Sequence, residues 1–347
     1  MFGLLSMFLT APFYRKLSLR SGLTIAGTLI AVSFALYGLS TSYFAYLFAA
    51  AVTGLGWGLG TMIPTALLLD RWFISKRTTA IGICYASTGL STLGIPSLLT
   101  SMVESMGLRT TFLIESAGTI LIVLVAFLLL RNDPAQIGLQ PYCYNAQQKQ
   151  LLSERPPIHL TKLQWGFLIP MAVCTGAITN VGYSHLSVLT NANGFDPHTT
   201  ALAIMVSGIT LTCIKLVFGQ LTDRLSMYRC NWLFGVLLLL GFVLLCVMGT
   251  HKVLLFVGIT TLSAGLVLGT VGLTTWAGDL SGSKQYESTV RRFQISYASG
   301  GLIFSSIPGI LADHFNGSYV PAYMMFFLCA LFILVTIQII YRKILLH

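Results

Sequence analysis

The stretch TALAIMVSGITLTCIKLVFG, Thr200 to Gly219, followed by QLTDRLSMYR, Gln220 to Arg229, decides the fold. Its first 20 residues carry one charge, Lys215, and are long enough for an α-helix to cross a hydrocarbon core. It then gives way to a polar loop of the form G-x-x-x-D-R with a further basic residue, Arg229. Working outward, nine other stretches read as complete spans: Ser21–Leu39, Tyr46–Leu69, Ala80–Val103, Thr111–Leu130, Trp165–Leu189, Trp232–Met248, Val253–Ala277, Ile295–Leu311 and Ala322–Ile340. An eleventh apolar segment, Met1–Phe13, has 13 residues and reaches only about 20 Å of the roughly 30 Å core. It lacks the basic start and small-residue cleavage site of a signal peptide, and reads as the tail of a helix whose beginning is absent from this chain.

Composition agrees. Charged residues are 9% of 347, against about 25% in soluble domains, and mean hydropathy is +0.81. The solvent for most of the chain is lipid. The excess of +10 is not gathered on one polar face, which excludes nucleic-acid binding. Seven scattered cysteines without a C-x-x-C pair point to neither a disulfide framework nor a metal site. Across successive loops, 17 of the 20 basic residues fall on one side, and only Arg109 and Lys252 on the other. That side, which includes the C-terminus, is therefore cytoplasmic, and Met1 begins on the outer side.

Residues 131–163 form the single clear linker, with Pro156–Pro157, the Gln-rich run Gln147–Gln150, and Lys149, Glu154 and Arg155. It divides a transmembrane bundle in 1–130 from another in 164–347. The loop from Gly219 to Arg229 has a counterpart from Ala11 to Arg20, offset by 208, and loops beginning at Asp70 and Asp279 are offset by 209. A constant offset at two places predicts two homologous six-helix halves, the parallel repeat of a transporter, with the first half incomplete.

The repeated G-x-x-x-D-R loop resembles the major facilitator superfamily. The run Asp70-Arg-Trp-Phe-Ile-Ser-Lys-Arg-Thr-Thr-Ala-Ile-Gly82 is similar to the R-W-F-x-x-x-R-x-x-A-x-G loop of its monocarboxylate and oxalate–formate branch. So are Arg131-Asn-Asp-Pro-Ala-Gln-Ile-Gly-Leu-Gln-Pro-Tyr142 and Asp279-Leu-Ser-Gly-Ser-Lys-Gln-Tyr286. The resemblance implies a polytopic all-α membrane protein with the major facilitator fold, two pseudo-symmetric bundles with about 11 spans present. It also implies a secondary transporter working by alternating access, here for a small organic anion of monocarboxylate type, with a coupling proton or counter-anion. Other readings are a permease or exporter for a different solute, or a transport-inactive truncated membrane protein. Loops other than the linker are short and hold no catalytic constellation or cofactor motif. The expected setting is a cell membrane, as a monomer.

Lys215 carries most of the functional argument. An ammonium inside a span costs about 2.5–3.5 kcal/mol at the helix centre, so such residues face a cavity or a partner. Two readings are open: a lysine that snorkels or pairs with Asp223, or, as the resemblance implies, a cation that holds the substrate carboxylate. The resemblance also places Ser299 where oxalate-type members carry a second cation, which favours a monoanion or zwitterion over a dicarboxylate. Asn180 and Tyr183, three apart, can share a cavity face, and Tyr85 and Tyr297 are candidate cavity hydrogen-bonders. His185 is a candidate proton relay or an interfacial residue. Asp223 with Arg224 and Gly219 reads as a conformational latch at a helix end, joined by Asp70 with Arg71 and by Asp279 with Arg291. The glycines 54, 56, 58 and 60 cannot all lie on one helical face, but they permit close helix contact.

Overall fold

The computed structural model describes residues 1–60, 62–74, 76–142 and 160–345, the side chains of 97, 282–284, 344 and 345 excepted. Most of the linker, including the Gln-rich run and the proline pair, lies outside the described residues. So do Cys143 and the side chain of Lys284. The described residues are almost wholly helical. We label the helices α1 (Phe2–Lys16), α2 (Leu19–Leu39), α3 (Tyr43–Trp72), α4 (Arg77–Leu129) and α5 (Lys162–Gly182). The remainder are α6 (Pro197–Leu225), α7 (Met227–Val247), α8 (Lys252–Ser281), α9 (Gln285–His314) and α10 (Val320–Lys343).

Nine helices among the described residues are long and apolar enough to cross a membrane. The sequence gives ten complete spans, and the difference lies in α4. Its helical run is broken only at Gly107 (φ 79°, ψ 162°), so Ala80–Val103 joins the next apolar segment in one element. The first limb is also rich in hydroxyl side chains, from Thr78 to Thr92, which lowers its apolar character. The 15-residue α1 is a helix too short to qualify.

The chain divides into two compact units, Met1–Ser75 with Gly94–Arg155, and Lys76–Leu93 with Pro156–His347. In the first unit α3 packs against both α1 and α2, and its alternate glycines explain how. A Cβ on Gly54 or Gly58 would meet Gly3 and Ser6 of α1, while one on Gly56 or Gly60 would meet Ala26 of α2. The four glycines thus serve two faces, each pair four residues apart. The motif from Arg131 to Tyr142 is a structural clasp in this unit. Asp133 caps a short 3-10 turn, Pro134–Ile137, which Gly138 closes at φ 73°. The Trp72 indole donates to the Arg131 carbonyl at 3.1 Å, and the Tyr142 N–H donates to the Trp72 carbonyl at 2.8 Å.

In the second unit, α5 starts at a capping box between Thr161 and Gln164. It crosses α9 where Gly176 faces the Tyr297 carbonyl and Gly300 faces the Val173 carbonyl. Buried Trp276 of α8 donates to Asn231 of α7 at 2.9 Å, a hydrogen-bonded pair within an apolar core. Residues 177–182 of α5 are π-helical, a wider winding that often marks functional sites.

Candidate functional site

Helix α6 begins where Asp196 caps Pro197 and accepts from the Thr199 amide and hydroxyl, the latter at 2.7 Å. It ends at Leu225, before Ser226 with φ 76°. Between these ends Gly208, Thr212, Lys215, Gly219 and Asp223 recur at three- and four-residue spacing and form one stripe. The first limb of α4 lies along that stripe, antiparallel to it. A Cβ on Gly219 would strike the backbone of Thr78 and Thr79, one on Gly82 the Lys215 carbonyl, one on Gly89 Thr212, and one on Gly208 Thr92. Small residues at alternate turns bring the two backbones together along the whole crossing.

Close approach places two polar pairs. At the loop end, the Thr79 hydroxyl donates to Asp223 Oδ2 at 2.7 Å, in the first turn of α4 where backbone N–H groups are unpaired. Gly219 and Asp223 are four residues apart, so the glycine admits the helix that the aspartate then holds. Deeper in, Lys215 is 3% exposed and its Nζ donates to Thr88 Oγ1 at 2.6 Å. Lys215 therefore does not pair with Asp223. The Thr88 hydroxyl in turn donates to the Tyr85 carbonyl at 2.8 Å. Among the described residues, this neutral hydroxyl is the one hydrogen-bond partner of an ammonium that offers three donors.

The other expected site residues divide. Tyr297 donates to Asn180 Oδ1 at 3.4 Å, and Gly301 lies against the same amide, so α5 and α9 bring these two residues together. Tyr85 is buried on the first limb of α4. Tyr183 is half-buried with a buried hydroxyl that has no partner among the described residues. The Ser299 hydroxyl is spent on the Ile295 carbonyl of its own helix. His185 bonds the Val181 carbonyl and lies 6.2 Å from the Tyr319 ring.

Of the expected latch residues, Asp70 and Arg71 lie in the first unit, at the end of α3, and Arg224 is exposed. Asp279 accepts from the Tyr341 hydroxyl at 2.8 Å. Beside it, the Arg77 guanidinium sits 4.5 Å over the Tyr286 ring, in space that Gly278 leaves open. Thr79, Thr88 and Arg77 are contacts that sequence reasoning did not single out. Arg77 and Gly82 are the second R and the G of the 70–82 loop, and each now has a contact to explain it. Thr88 has no sequence signal at all.

The family model described as Major Facilitator Superfamily matches residues 1–305. The chain belongs to the major facilitator superfamily. Curated relatives include Monocarboxylate transporter 13 of Bos taurus, 28% identical over 217 residues, 60% of this chain and 47% of that protein. Monocarboxylate transporter 11 of Mus musculus is 25% identical across 83% of this chain and 64% of its own length. The uncharacterized MFS-type transporter YhjX of Escherichia coli (strain K12) is 26% identical across 74% and 65%. The chain thus spans between about half and just under two thirds of these curated relatives. Among solved structures, the proton:xylose symporter XylE matches with TM-score 0.72 at 12% identity, covering 96% of this chain and 82% of that one. FucP, in the outward conformation, matches with TM-score 0.70 at 16% identity, covering 96% and 86%. At those identities the likeness shows the major facilitator fold alone. This major facilitator chain is a multi-pass membrane protein.

Proposed function

We propose that this chain is a secondary transporter that moves a small organic anion of monocarboxylate type by alternating access, with Lys215 holding the substrate carboxylate. The observation that carries the reading is a buried ammonium whose partner is a neutral threonine rather than a carboxylate. A desolvated cation without a counter-charge is costly, and a carboxylate that reaches it recovers that cost. Lysine binds as a point charge, which suits one carboxylate rather than a bidentate clamp. The relatives named as monocarboxylate transporters support the same class. Gly219 with the Asp223–Thr79 bond is the conformational latch, broken when the loop end of α4 parts from α6. Tyr85, Asn180 and Tyr297 line the polar path beside Lys215, and a proton or counter-anion supplies the coupling. The basic loops, linker and C-terminus face the cytoplasm of a cell membrane.

Uptake of labelled monocarboxylates, dicarboxylates and sugars into proteoliposomes tests this. Loss of one charge-assisted hydrogen bond is worth about 1.5–3 kcal/mol, so Lys215→Gln should weaken monocarboxylate binding by roughly ten- to a hundredfold. Unchanged uptake by Lys215→Gln refutes the assigned site. Uptake of sugar alone favours a permease for another solute.

A further inference from the structure

Two buried amides of the second unit each have one atom bonded and one left over. The Trp276 indole of α8 donates to Asn231 Oδ1 of α7 at 2.9 Å, and Gln338 Nε2 of α10 donates to the Tyr228 carbonyl of α7 at 3.2 Å. An indole N–H can only donate and a carbonyl can only accept, so these contacts fix which way each amide points. What remains is one donor, Asn231 Nδ2, and one acceptor, Gln338 Oε1, both buried and without a partner among the described residues. Asn231 is 0% exposed and Gln338 6%. Leaving such groups unpaired is costly inside a helix bundle in lipid.

Helix register brings the two atoms together. Helix α7 runs antiparallel to α10, since Gly235 lies against Leu334 and the Tyr228 carbonyl against Gln338. Four residues back from Gly235 and four on from Leu334 stand Asn231 and Gln338, opposite one another. The Tyr228 carbonyl agrees, because a helical C=O points along the axis toward the N–H four residues on, into the turn that holds Asn231. Helix α7 is antiparallel to α8 as well, with Leu238 against Gly265 and Asn231 against Trp276. Helices α8 and α10 are therefore parallel. The bond from Tyr341 to Asp279 then puts Trp276, three residues back on α8, level with Gln338, three residues back on α10. Three helices thus set the leftover donor and acceptor in one turn, yet beyond direct bonding reach, since neither has a partner.

We propose that this turn is a binding site for a single water molecule, which accepts from Asn231 Nδ2 and donates to Gln338 Oε1. Water is the smallest molecule that both accepts and donates, and a resident water needs two to four polar partners. Gly235 and, further along, Gly241 and Gly265 bring the three helices into close contact, which favours the smallest such ligand. The bound water completes a chain from the Trp276 indole through both amides to the Tyr228 carbonyl. With the Tyr341–Asp279 bond one turn on, it ties α7, α8 and α10 together at two levels. The site is separate from Lys215 and does not depend on the substrate assigned there.

The test is synchrotron radiolysis of the purified full chain, in which hydroxyl radicals form from water in place and oxidise the side chains beside it. Trp276 is fully buried, so its oxidation requires a water held near it. In wild type, peptide mass spectrometry should find Trp276 oxidised and Phe242, equally buried among the rings of Tyr323 and Phe326, unmodified. Gln338→Leu and Asn231→Leu each remove one partner of the water, and each should abolish the Trp276 product; whichever variant keeps a cooperative melting transition serves. Gln338→Glu retains an acceptor and should retain the product. A general leak of solvent would oxidise Phe242 too and leave Trp276 equally modified in every variant, which counts against the site. Unmodified Trp276 in wild type overturns the proposal, and so does oxidation that persists in a folded Leu variant.

Discussion

Gly219→Ala is the sharpest perturbation of the proposed latch. The added methyl would lie 2.7 Å from the Thr79 nitrogen and 2.8 Å from the Thr78 carbonyl oxygen. Both are backbone atoms that cannot rotate away. The Thr79 Cα is closer still and carbon needs about 3.5 Å of separation, so the end of α6 must retreat by about 1 Å from the first turn of α4. Overpacking of this kind costs about 1–3 kcal/mol. The same retreat stretches the 2.7 Å bond from Thr79 to Asp223 beyond hydrogen-bond length, and since Asp223 is exposed that loss adds only at the low end of its range. Together they amount to about 2–3 kcal/mol, or roughly 30- to 160-fold in the equilibrium between docked and undocked helix ends. A cysteine at buried Thr78, in a background without native cysteines, reports that equilibrium through its alkylation rate by a membrane-impermeant maleimide. Gly219→Ala should raise the rate by that factor. Gly94→Ala, where a Cβ meets nothing within 4 Å, is the control and should leave it unchanged. An unchanged rate in Gly219→Ala, or an equal rise in the control, refutes the latch.

Two other outcomes follow from the same geometry. Thr88→Val removes the neutral acceptor of Lys215 and should lower thermal stability by about 1–3 kcal/mol, while the stabilisation gained on adding a monocarboxylate should be larger than in wild type. Equal stabilisation in the two proteins would separate the lysine from the anion. At the far end of α6, the Thr199 hydroxyl and amide hold the Asp196 carboxyl below its ordinary range, helped by Lys252 and His198. A depressed carboxylate stabilises fully above its unfolded value near pH 4 and less as pH falls through the folded value, so melting temperature should drop below about pH 4. Asp196→Asn keeps the cap without the titration, and a drop of the same size in that variant would rule the aspartate out as its cause.

The spans were legible because lipid imposes its rule locally: about 20 apolar residues, then charge. The exception, α4, shows where that rule weakens, since a limb whose face meets another helix through glycine and threonine no longer reads as uniformly apolar. Lys215 was legible for the same reason, as a charge out of place. Thr88 was not, because 127 residues separate it from Lys215 and one threonine among many in that limb carries no mark. Gln294 of α9 was passed over for a related reason: an amide is unremarkable in sequence, and only the fold shows both its atoms buried and without a partner among the described residues.

By itself the sequence determined the solvent, nine of the ten membrane segments read as complete, the twofold repeat and the one cation that breaks its charge pattern. Each depends on hydropathy or charge summed along the chain, which folding does not alter. Only the tertiary structure decided that α4 is the partner of α6 and that a hydroxyl rather than a carboxylate answers Lys215. Those depend on the rotation and crossing of helices, and a few glycines that remove a Cβ where two backbones meet set them at single-residue precision.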